Sequence, residues 1–224
     1  MVKAGRLRGV GSGGLVYGAI RAFTVIVKAL LTRARVMGLE HFPRSDGVLV
    51  VSNHVSNADP VVLMAVAPRP LAFMAKAELF RHWVPRLVLE SWRGAFPVQR
   101  GTADVRAVRD ALALLQAGAA VVLFPEGTRR PDVLERPHRG IGYLAARAAC
   151  PILPVGLVGT EALEDLWDLR KRPSFEVRFG PPFLVPSDDS DEMATDRIMR
   201  AVAQLLPPER RGAYRAEGEL LLAR

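Results

Sequence analysis

Residues 48–60, VLVVSNHVSNADP, decide how the rest of the chain is interpreted. Four consecutive apolar residues, 48–51, predict a buried strand, and a polar turn follows in which His54 precedes Asp59 by five positions. Loops at the ends of strands in α/β proteins handle ligands, because the rigid sheet holds them in place. The stretch therefore predicts one strand of an α/β sheet with a polar site at its end.

His54 and Asp59 are candidates for a catalytic pair. A histidine takes up a proton near neutral pH, and a carboxylate holds its ring and stabilises the imidazolium that forms. On one continuous helix, five positions turn through about 500°, so the two side chains would point about 140° apart. They meet if His54 lies in the loop and Asp59 begins the next helix, as the Asp-Pro pair suggests. The alternative is that Asp59 only caps that helix and His54 is a hydrogen-bonded loop residue.

Composition limits the class of protein and its partners. The chain has 224 residues, half of them hydrophobic, and a net charge of +8, which predicts one globular domain with an acidic partner. Nucleic acid is disfavoured because three Tyr and three Trp are scattered and no recognition motif is present. A single cysteine, Cys150, and four dispersed histidines predict neither a disulfide framework nor a metal site. An anionic membrane surface or a phosphorylated substrate remains.

The most apolar run, residues 15–31, predicts an amphipathic membrane-associating helix. It is shorter than the ~20 residues of a spanning helix. Arg21 and Lys28 lie seven positions apart and therefore on nearly the same face, opposite a second set of side chains: Val16, Phe23, Ile26 and Leu30. This pattern predicts cations at anionic head groups and an apolar face in the acyl boundary. The alternative is a helix packed on the domain.

Alternating strands and helices predict the fold. Strands are expected at 35–40, 48–51, 71–75, 94–98, 119–124, 152–158 and 175–179. Helices are expected at 60–67, 78–90, 102–118, 137–149 and 188–206. The fold class is α/β, a mixed and largely parallel sheet flanked by helices on both faces. The domains are a basic linker and amphipathic helix (1–33), the α/β domain (34–206) and a C-terminal tail (207–224).

Further strand ends carry cations and glycines. Arg100 follows one strand, Lys76 follows another, and a third is followed by a longer set: Glu126, Gly127, Thr128 and Arg129. A guanidinium beside a glycine suits phosphate, because its fork donates to two oxygens and the glycine lets the ligand approach. A base beside an anion site fits group transfer onto a substrate hydroxyl. With no G-x-S-x-G elbow in the chain, His54 would activate the acceptor directly. Singly, each arginine is equally a surface charge, and Glu126 a partner for one of them.

Several motifs together resemble the glycerolipid acyltransferase family, and the lysophosphatidate acyltransferases most. They are Asn53-His54-x4-Asp59, Phe96-Pro97-Val98-Gln99-Arg100-Gly101, Phe124-Pro125-Glu126-Gly127-Thr128-Arg129 and Ile152-Leu153-Pro154-Val155. The resemblance covers about residues 35–182. The chain departs from the family pattern at one position and one segment: Gln99 stands where an acidic residue is usual, and Pro137-His138-Arg139-Gly140 replaces a Phe-Lys-x-Gly segment.

The resemblance implies an O-acyltransferase that takes a fatty acyl group from a thioester of coenzyme A or acyl carrier protein, with no cofactor. The acceptor is the free hydroxyl of a lysophospholipid, with lysophosphatidate giving phosphatidate. His54 is the base and Asp59 orients it. The family pattern places Arg100, Glu126, Gly127 and Arg129 at the glycerol-phosphate pocket, and Asn53 and Pro154 in structural or acyl-site support. The expected location is the cytoplasmic face of the cell membrane, peripheral or monotopic. Another lipid acceptor, or a silent lipid-binding module, is the alternative.

Overall fold

A computed structural model describes residues 15–76, 96–98, 105–127, 133–137, 140–164 and 172–215. Its strands are β1 (Arg33–Met37), β2 (Val48–Ser52), β3 (Leu71–Lys76), β4 (Phe96–Val98), β5 (Ala120–Leu123), β6 (Ile152–Val158) and β7 (Ser174–Phe179). Its α-helices are α1 (Leu15–Leu31), α2 (Asp59–Val66), α3 (Val105–Gln116), α4 (Ile141–Ala148) and α5 (Asp191–Gln204). The helix expected at 78–90 lies outside the described residues.

The strands form one mixed sheet in the order β1-β7-β6-β2-β5-β3-β4. Every neighbouring pair is parallel except β6 and β7, which are antiparallel. The predicted mixed, largely parallel sheet is therefore confirmed. Because β2 to β6 all run the same way, they end at one edge of the sheet, called the carboxyl edge below. β1 and β7 run the other way, so each of them begins at that edge.

Strand β2, which contains the apolar run 48–51, is the centre of the core. All five residues of β2 are buried, and its two neighbours are β5 and β6. Leu49 and Val51 pack with α3, α4 and α5 on one face, while Val48 and Val50 pack with α2 on the other. A parallel strand covered by helices on both faces is apolar on both sides, which explains the unbroken run of four hydrophobic residues.

Several element bounds differ from the predictions, each for a local reason. β1 ends at Met37 because Gly38 turns into the left-handed region with φ of 70°, and a Cβ there would lie 2.0 Å from Phe179 O. α4 begins at Ile141, four residues later than predicted, because Gly140 before it has φ of 124°. α5 begins after Ser190, whose hydroxyl accepts a hydrogen bond from Met193 N at 3.2 Å. These bounds leave the predicted order of elements unchanged.

The N-terminal helix α1 is held on the domain by one of its cations. Arg21 Nη2 donates to Ala67 O at 2.9 Å, just beyond the end of α2. This contact fits the alternative of a helix packed on the domain, and contact of Arg21 with lipid head groups stays a prediction. The opposite face is open, with Phe23 67%, Ile26 56% and Leu30 66% exposed. Among the described residues, no helix has the length and apolar character needed to cross a membrane.

Residues 207–215, expected as part of a tail, pack against the domain. The Leu134 N–H donates to Arg210 O at 2.9 Å, and the Ala213 N–H donates to Leu134 O at 3.2 Å. Arg210 Nη2 also donates to Glu161 Oε1 at 2.6 Å. This C-terminal segment therefore connects the stretch after β5 with the 3₁₀ turn that follows β6, Thr160–Leu163.

Candidate active site

Three neighbouring strands bring polar side chains together at the carboxyl edge. His54 follows β2, Glu126 follows β5 and Thr160 follows β6. Apart from Thr32, all the buried polar and charged side chains in the described part of the chain belong to this cluster: Ser52, Asn53, His54, Ser56, Asp59, Glu126 and Thr160. Burial of polar groups is costly unless they are hydrogen-bonded. Such a concentration at one edge marks the candidate active site.

His54 and Asp59 form a hydrogen-bonded pair. His54 lies in the loop after β2, Asp59 is the first residue of α2, and His54 Nδ1 is 2.8 Å from Asp59 Oδ2. Asp59 is fully buried, and His54 is 7% exposed. The predicted arrangement is therefore observed: the two side chains meet because one lies in the loop and the other begins the helix.

Asp59 does not cap α2, so that prediction is wrong. The N-cap position is Ala58, and no side chain caps the helix. The carboxylate turns back into the loop instead, where Oδ2 accepts from Val55 N at 2.8 Å and from Ser56 N at 2.9 Å. The loop therefore folds around the carboxylate, which fixes the position of the preceding histidine.

These contacts decide which nitrogen of His54 carries the proton. Backbone N–H groups only donate, so Asp59 Oδ2 is an acceptor, and His54 Nδ1 must donate to it. In the neutral ring, the lone pair is then on Nε2. No hydrogen bond to Nε2 forms within the described residues. The Phe124 ring stacks on the imidazole with centroids 4.3 Å apart and planes at 22°, which holds the ring from one side.

Glu126 is turned toward the backbone of the site. It is 4% exposed, with Oε2 accepting from His54 N at 3.0 Å and Oε1 accepting from Glu135 N at 3.2 Å. These bonds tie the loop after β5 to the histidine, and contact of Glu126 with substrate stays a prediction. Gly127 beside it has φ of 65°, a conformation that side chains with a Cβ rarely adopt.

Asn53 and Pro154 hold the strands that carry the site. The Asn53 side chain donates to Leu157 O at 2.9 Å and accepts from Leu157 N at 2.8 Å, so it joins the end of β2 to β6. Pro154 is paired with Val51 in register and accepts a hydrogen bond from Gly180 N at 2.9 Å. The resemblance implies either structural or acyl-site support for these two residues, and the contacts seen here are structural.

The predicted cation pocket falls largely outside the described residues. Arg100, Thr128 and Arg129 are beyond them, and of Lys76 the structure describes only its place as the last residue of β3. β3 and β4 both end at the carboxyl edge, so Lys76 is placed there by the backbone, and the strand before Arg100 points there. The phosphate pocket stays a prediction.

Thr160 and Glu164 are site residues that the sequence did not predict. Thr160 Oγ1 donates to Asp59 Oδ1 at 2.6 Å. Glu164 Oε1 accepts from Ser56 Oγ and from Asn57 N, both at 3.1 Å. Both residues follow the strand predicted at 152–158. Polar residues that directly follow a predicted strand are site candidates, and the same criterion applied after this strand selects Thr160 and Glu164.

The arrangement suits general base catalysis. His54 Nε2 has no hydrogen-bond partner among the described residues, while Nδ1 has a buried carboxylate and an aromatic ring lies against its face. Such a ring, when neutral, can accept a proton from a substrate hydroxyl. The carboxylate then stabilises the imidazolium. No covalent intermediate on the protein is needed for this chemistry.

Comparisons with known proteins identify the family. A family model described as Acyltransferase matches residues 33–158. The human 1-acyl-sn-glycerol-3-phosphate acyltransferase alpha is 37% identical over 183 residues, which cover 76% of this chain and 62% of that protein. The 1-acyl-sn-glycerol-3-phosphate acyltransferase of Bacillus subtilis is 25% identical over 159 residues, covering 70% of this chain and 77% of that protein.

A solved structure shares the fold. The crystal structure of the 1-acyl-sn-glycerophosphate (LPA) acyltransferase PlsC from Thermotoga maritima superposes with a TM-score of 0.67 at 23% identity, covering 84% of this chain and 77% of that one. The chain spans between 44% and 62% of the length of the mammalian relatives it matches. The matched residues 33–158 run from β1 to the end of β6 and include both members of the His54–Asp59 pair. This chain therefore belongs to the acyltransferase family.

Proposed function

We propose that this protein transfers a fatty acyl group from an acyl thioester to the free hydroxyl of lysophosphatidate, giving phosphatidate. The observation that carries the proposal is the His54–Asp59 hydrogen bond of 2.8 Å, with no bond from a described residue to Nε2. The relatives named above, whose names specify 1-acyl-sn-glycerol-3-phosphate as substrate, support the choice of acceptor. The donor is a thioester of coenzyme A or of acyl carrier protein.

The reaction follows from the orientation of the imidazole. His54 Nε2 takes the proton of the acceptor hydroxyl while its Nδ1–H remains on Asp59. The oxygen attacks the thioester carbonyl, and the tetrahedral intermediate collapses with cleavage of the C–S bond. The proton on Nε2 then leaves with the thiolate as free thiol. Asp59 stabilises the imidazolium between these steps, so its burial against four donors serves the base rather than the helix.

A thiol-release assay tests the proposed base. We expect acyl-CoA and lysophosphatidate to yield free thiol with the wild type, and His54→Ala to lower kcat by about 10²–10⁴-fold. Equal rates for the two proteins would contradict the assignment of His54. The protein's own thiol adds little background, because burial raises the pKa of Cys150 and leaves less of the reactive thiolate.

His41 supplies a matched control for this variant. Its Nδ1 is 3.0 Å from Phe179 O, and it lies beyond the end of β1, at the edge of the sheet opposite the site. His41→Gln removes a histidine while an amide can still donate to that carbonyl. We expect it to retain wild-type kcat, whereas a parallel loss in His41→Gln would assign the effect of His54→Ala to folding.

Product identification separates the acceptors. Incubation with mixed lysolipids and either acyl-CoA or acyl carrier protein thioester, followed by mass spectrometry, should give phosphatidate as the main product. A glycolipid or amino-acid-derived product would keep the chemistry and change the substrate. Binding without turnover across the panel would instead favour a silent lipid-binding module.

We also propose that the protein acts at an anionic membrane surface on the cytoplasmic face. The exposed apolar side chains of α1, Phe23, Ile26 and Leu30, support this, together with the net charge of +8. Arg21 contacts the far end of α2, and Leu31 precedes β1, which begins at the carboxyl edge. The apolar face of α1 therefore runs toward the edge at which the lipid acceptor would react.

A further inference from the structure

We propose that Thr160 is a positioning residue of the active site, whose hydroxyl holds Asp59 and, through it, the reactive orientation of His54. This rests on the proposed role of His54 as the base. Thr160 reaches the carboxylate from the turn after β6, across 101 positions of sequence. It touches neither substrate nor His54 itself in this role and acts through Asp59 alone.

The two carboxylate oxygens of Asp59 are held by different parts of the chain. Oδ2 accepts from His54 Nδ1, Val55 N and Ser56 N, all within the loop after β2. Within the described residues, Oδ1 accepts from Thr160 Oγ1, at 2.6 Å. That distance is typical of a hydroxyl donating to an ionised oxygen. The loop therefore holds Oδ2, and Thr160 holds Oδ1 and so limits rotation of the carboxylate.

Thr160 is itself rigidly placed. Gly159 before it has φ of 80°, and a Cβ there would lie 2.9 Å from Ser174 O, so the chain turns sharply at the end of β6. Glu161 after it is bonded to Arg210 of the C-terminal segment at 2.6 Å. The side chain of Thr160 is fully buried. Because both neighbouring residues are fixed, the Thr160 hydroxyl is held in position to donate to Asp59.

Loss of the hydroxyl should affect catalysis more than binding. With Oδ1 unpaired in a buried site, the carboxylate gains freedom to rotate and to loosen the three bonds on Oδ2. The imidazole would then lose its fixed angle to the acceptor hydroxyl, and small displacements of a reacting group cost up to about 10²-fold in rate. Because Thr160 acts through Asp59 in this role, we expect KM to change little.

Three substitutions separate the hydroxyl from the volume of the side chain. Thr160→Val keeps the shape and removes the donor, and Thr160→Ser keeps the donor. Thr195→Val is the control, because it removes a hydroxyl that donates to Asp191 O within α5, away from the site. We expect Thr160→Val to lower kcat by about 10–100-fold with KM nearly unchanged. Thr160→Ser should restore most of the rate, and Thr195→Val should match the wild type.

A spectroscopic readout is independent of turnover. The proton on His54 Nδ1, held on a buried carboxylate, should give a downfield ¹H NMR signal that His54→Ala lacks. Thr160→Val should shift or broaden this signal, and Thr160→Ser should keep it. If the wild type transfers no acyl group to any lysolipid, the proposed function fails, while this signal still decides the role of Thr160.

Two results would overturn the proposal. One is a Thr160→Val variant with wild-type kcat and an unchanged Nδ1–H signal. The other is equal loss in Thr160→Val, which lacks the hydroxyl, and Thr160→Ser, which keeps it, because the effect would then come from altered packing around residue 160 and not from the hydroxyl. Should Thr160→Val not fold, Thr160→Ala and Thr160→Ser are compared in the same two measurements, with the same expected contrast.

Discussion

Asp59 is a fully buried carboxylate with a donor on every side. Its partners are the ring of His54, two backbone N–H groups of the same loop and the hydroxyl of Thr160. A buried charge of this kind is tolerated when it is completely hydrogen-bonded. The residue therefore combines two effects, since it folds the loop and keeps the proton of His54 on Nδ1.

Asp59→Asn should separate these two effects. The two backbone N–H groups require an acceptor, so the amide oxygen will face them and His54 Nδ1, while its NH₂ group faces the Thr160 hydroxyl, which can accept. The loop and the tautomer are then retained and only the charge is lost. We expect kcat to fall by about 10²–10⁴-fold, with a thermal midpoint close to that of the wild type.

The control for this variant is Asp196→Asn. Asp196 pairs with Arg200 on the exposed face of α5, and both side chains are at least half exposed. Kinetics and thermal unfolding should be unchanged there, because exposed pairs contribute little. Full activity of Asp59→Asn would show that the charge does not stabilise the protonated base.

The elements around the site are connected by segments far apart in sequence. The C-terminal segment bonds to Leu134 by two backbone hydrogen bonds, and the next residue, Glu135, donates to Glu126. Glu126 in turn accepts from His54 N. A stretch expected as a tail thus supports the loop that carries Glu126, which contacts His54 N.

Gly212→Ala tests this support. Gly212 has φ of 50°, and a Cβ there would lie 2.1 Å from Leu134 O. We expect the free energy of unfolding to fall by at least about 1–3 kcal/mol, the usual cost of a strained backbone for a residue with a Cβ. Denaturant titration measures it, and kcat should fall as well because the Glu126 loop loses its support.

The same substitution at Gly18 should act in the opposite direction. Gly18 lies inside α1 with nothing within 4 Å of its Cβ position. Gly18→Ala should therefore raise the free energy of unfolding by up to about 1 kcal/mol through helix propensity. Equal effects at both glycines would show that residues 212 and 134 do not pack as described.

Two regions of the molecule differ in character: the polar cluster at the carboxyl edge and the apolar face of α1. The site opens at the carboxyl edge, and α1 lies over α2 with its apolar side chains outward. Arg21 donates to the neutral carbonyl of Ala67, so its charge remains part of the net charge of +8. We expect any attraction to an anionic surface to come from this net charge.

The double variant Phe23→Ser/Ile26→Ser tests the membrane face while leaving the docked side of α1 intact. We expect its binding to vesicles that contain anionic lipid to weaken by about tenfold or more, since each apolar side chain contributes about 1.5–3 kcal/mol when fully buried. Vesicle sedimentation measures this, and added salt should weaken binding of both proteins.

Val105→Ser is the control for that experiment. Val105 is 66% exposed and lies on α3, which covers the opposite face of the sheet. Its replacement should leave vesicle binding unchanged. Unchanged binding of the double variant, or an equal loss with Val105→Ser, would place the membrane contact elsewhere on the protein.

The sequence by itself determined the order of strands and helices along the chain and the pairing of His54 with Asp59. Both depend on local information, because hydrophobic runs mark buried strands, and a loop followed by a helix start brings positions 54 and 59 together. The central strand was recognisable for the same reason, since four consecutive apolar residues require cover on both faces.

The tertiary structure decided what surrounds that pair. Thr160 meets Asp59 and Glu126 meets His54 only because β6 and β5 are the neighbours of β2, and strand order is not encoded in local periodicity. Arg21 likewise reaches Ala67 across 46 positions and ties α1 to the domain. Contacts between distant segments depend on how the elements assemble, and these contacts hold the His54–Asp59 pair in place.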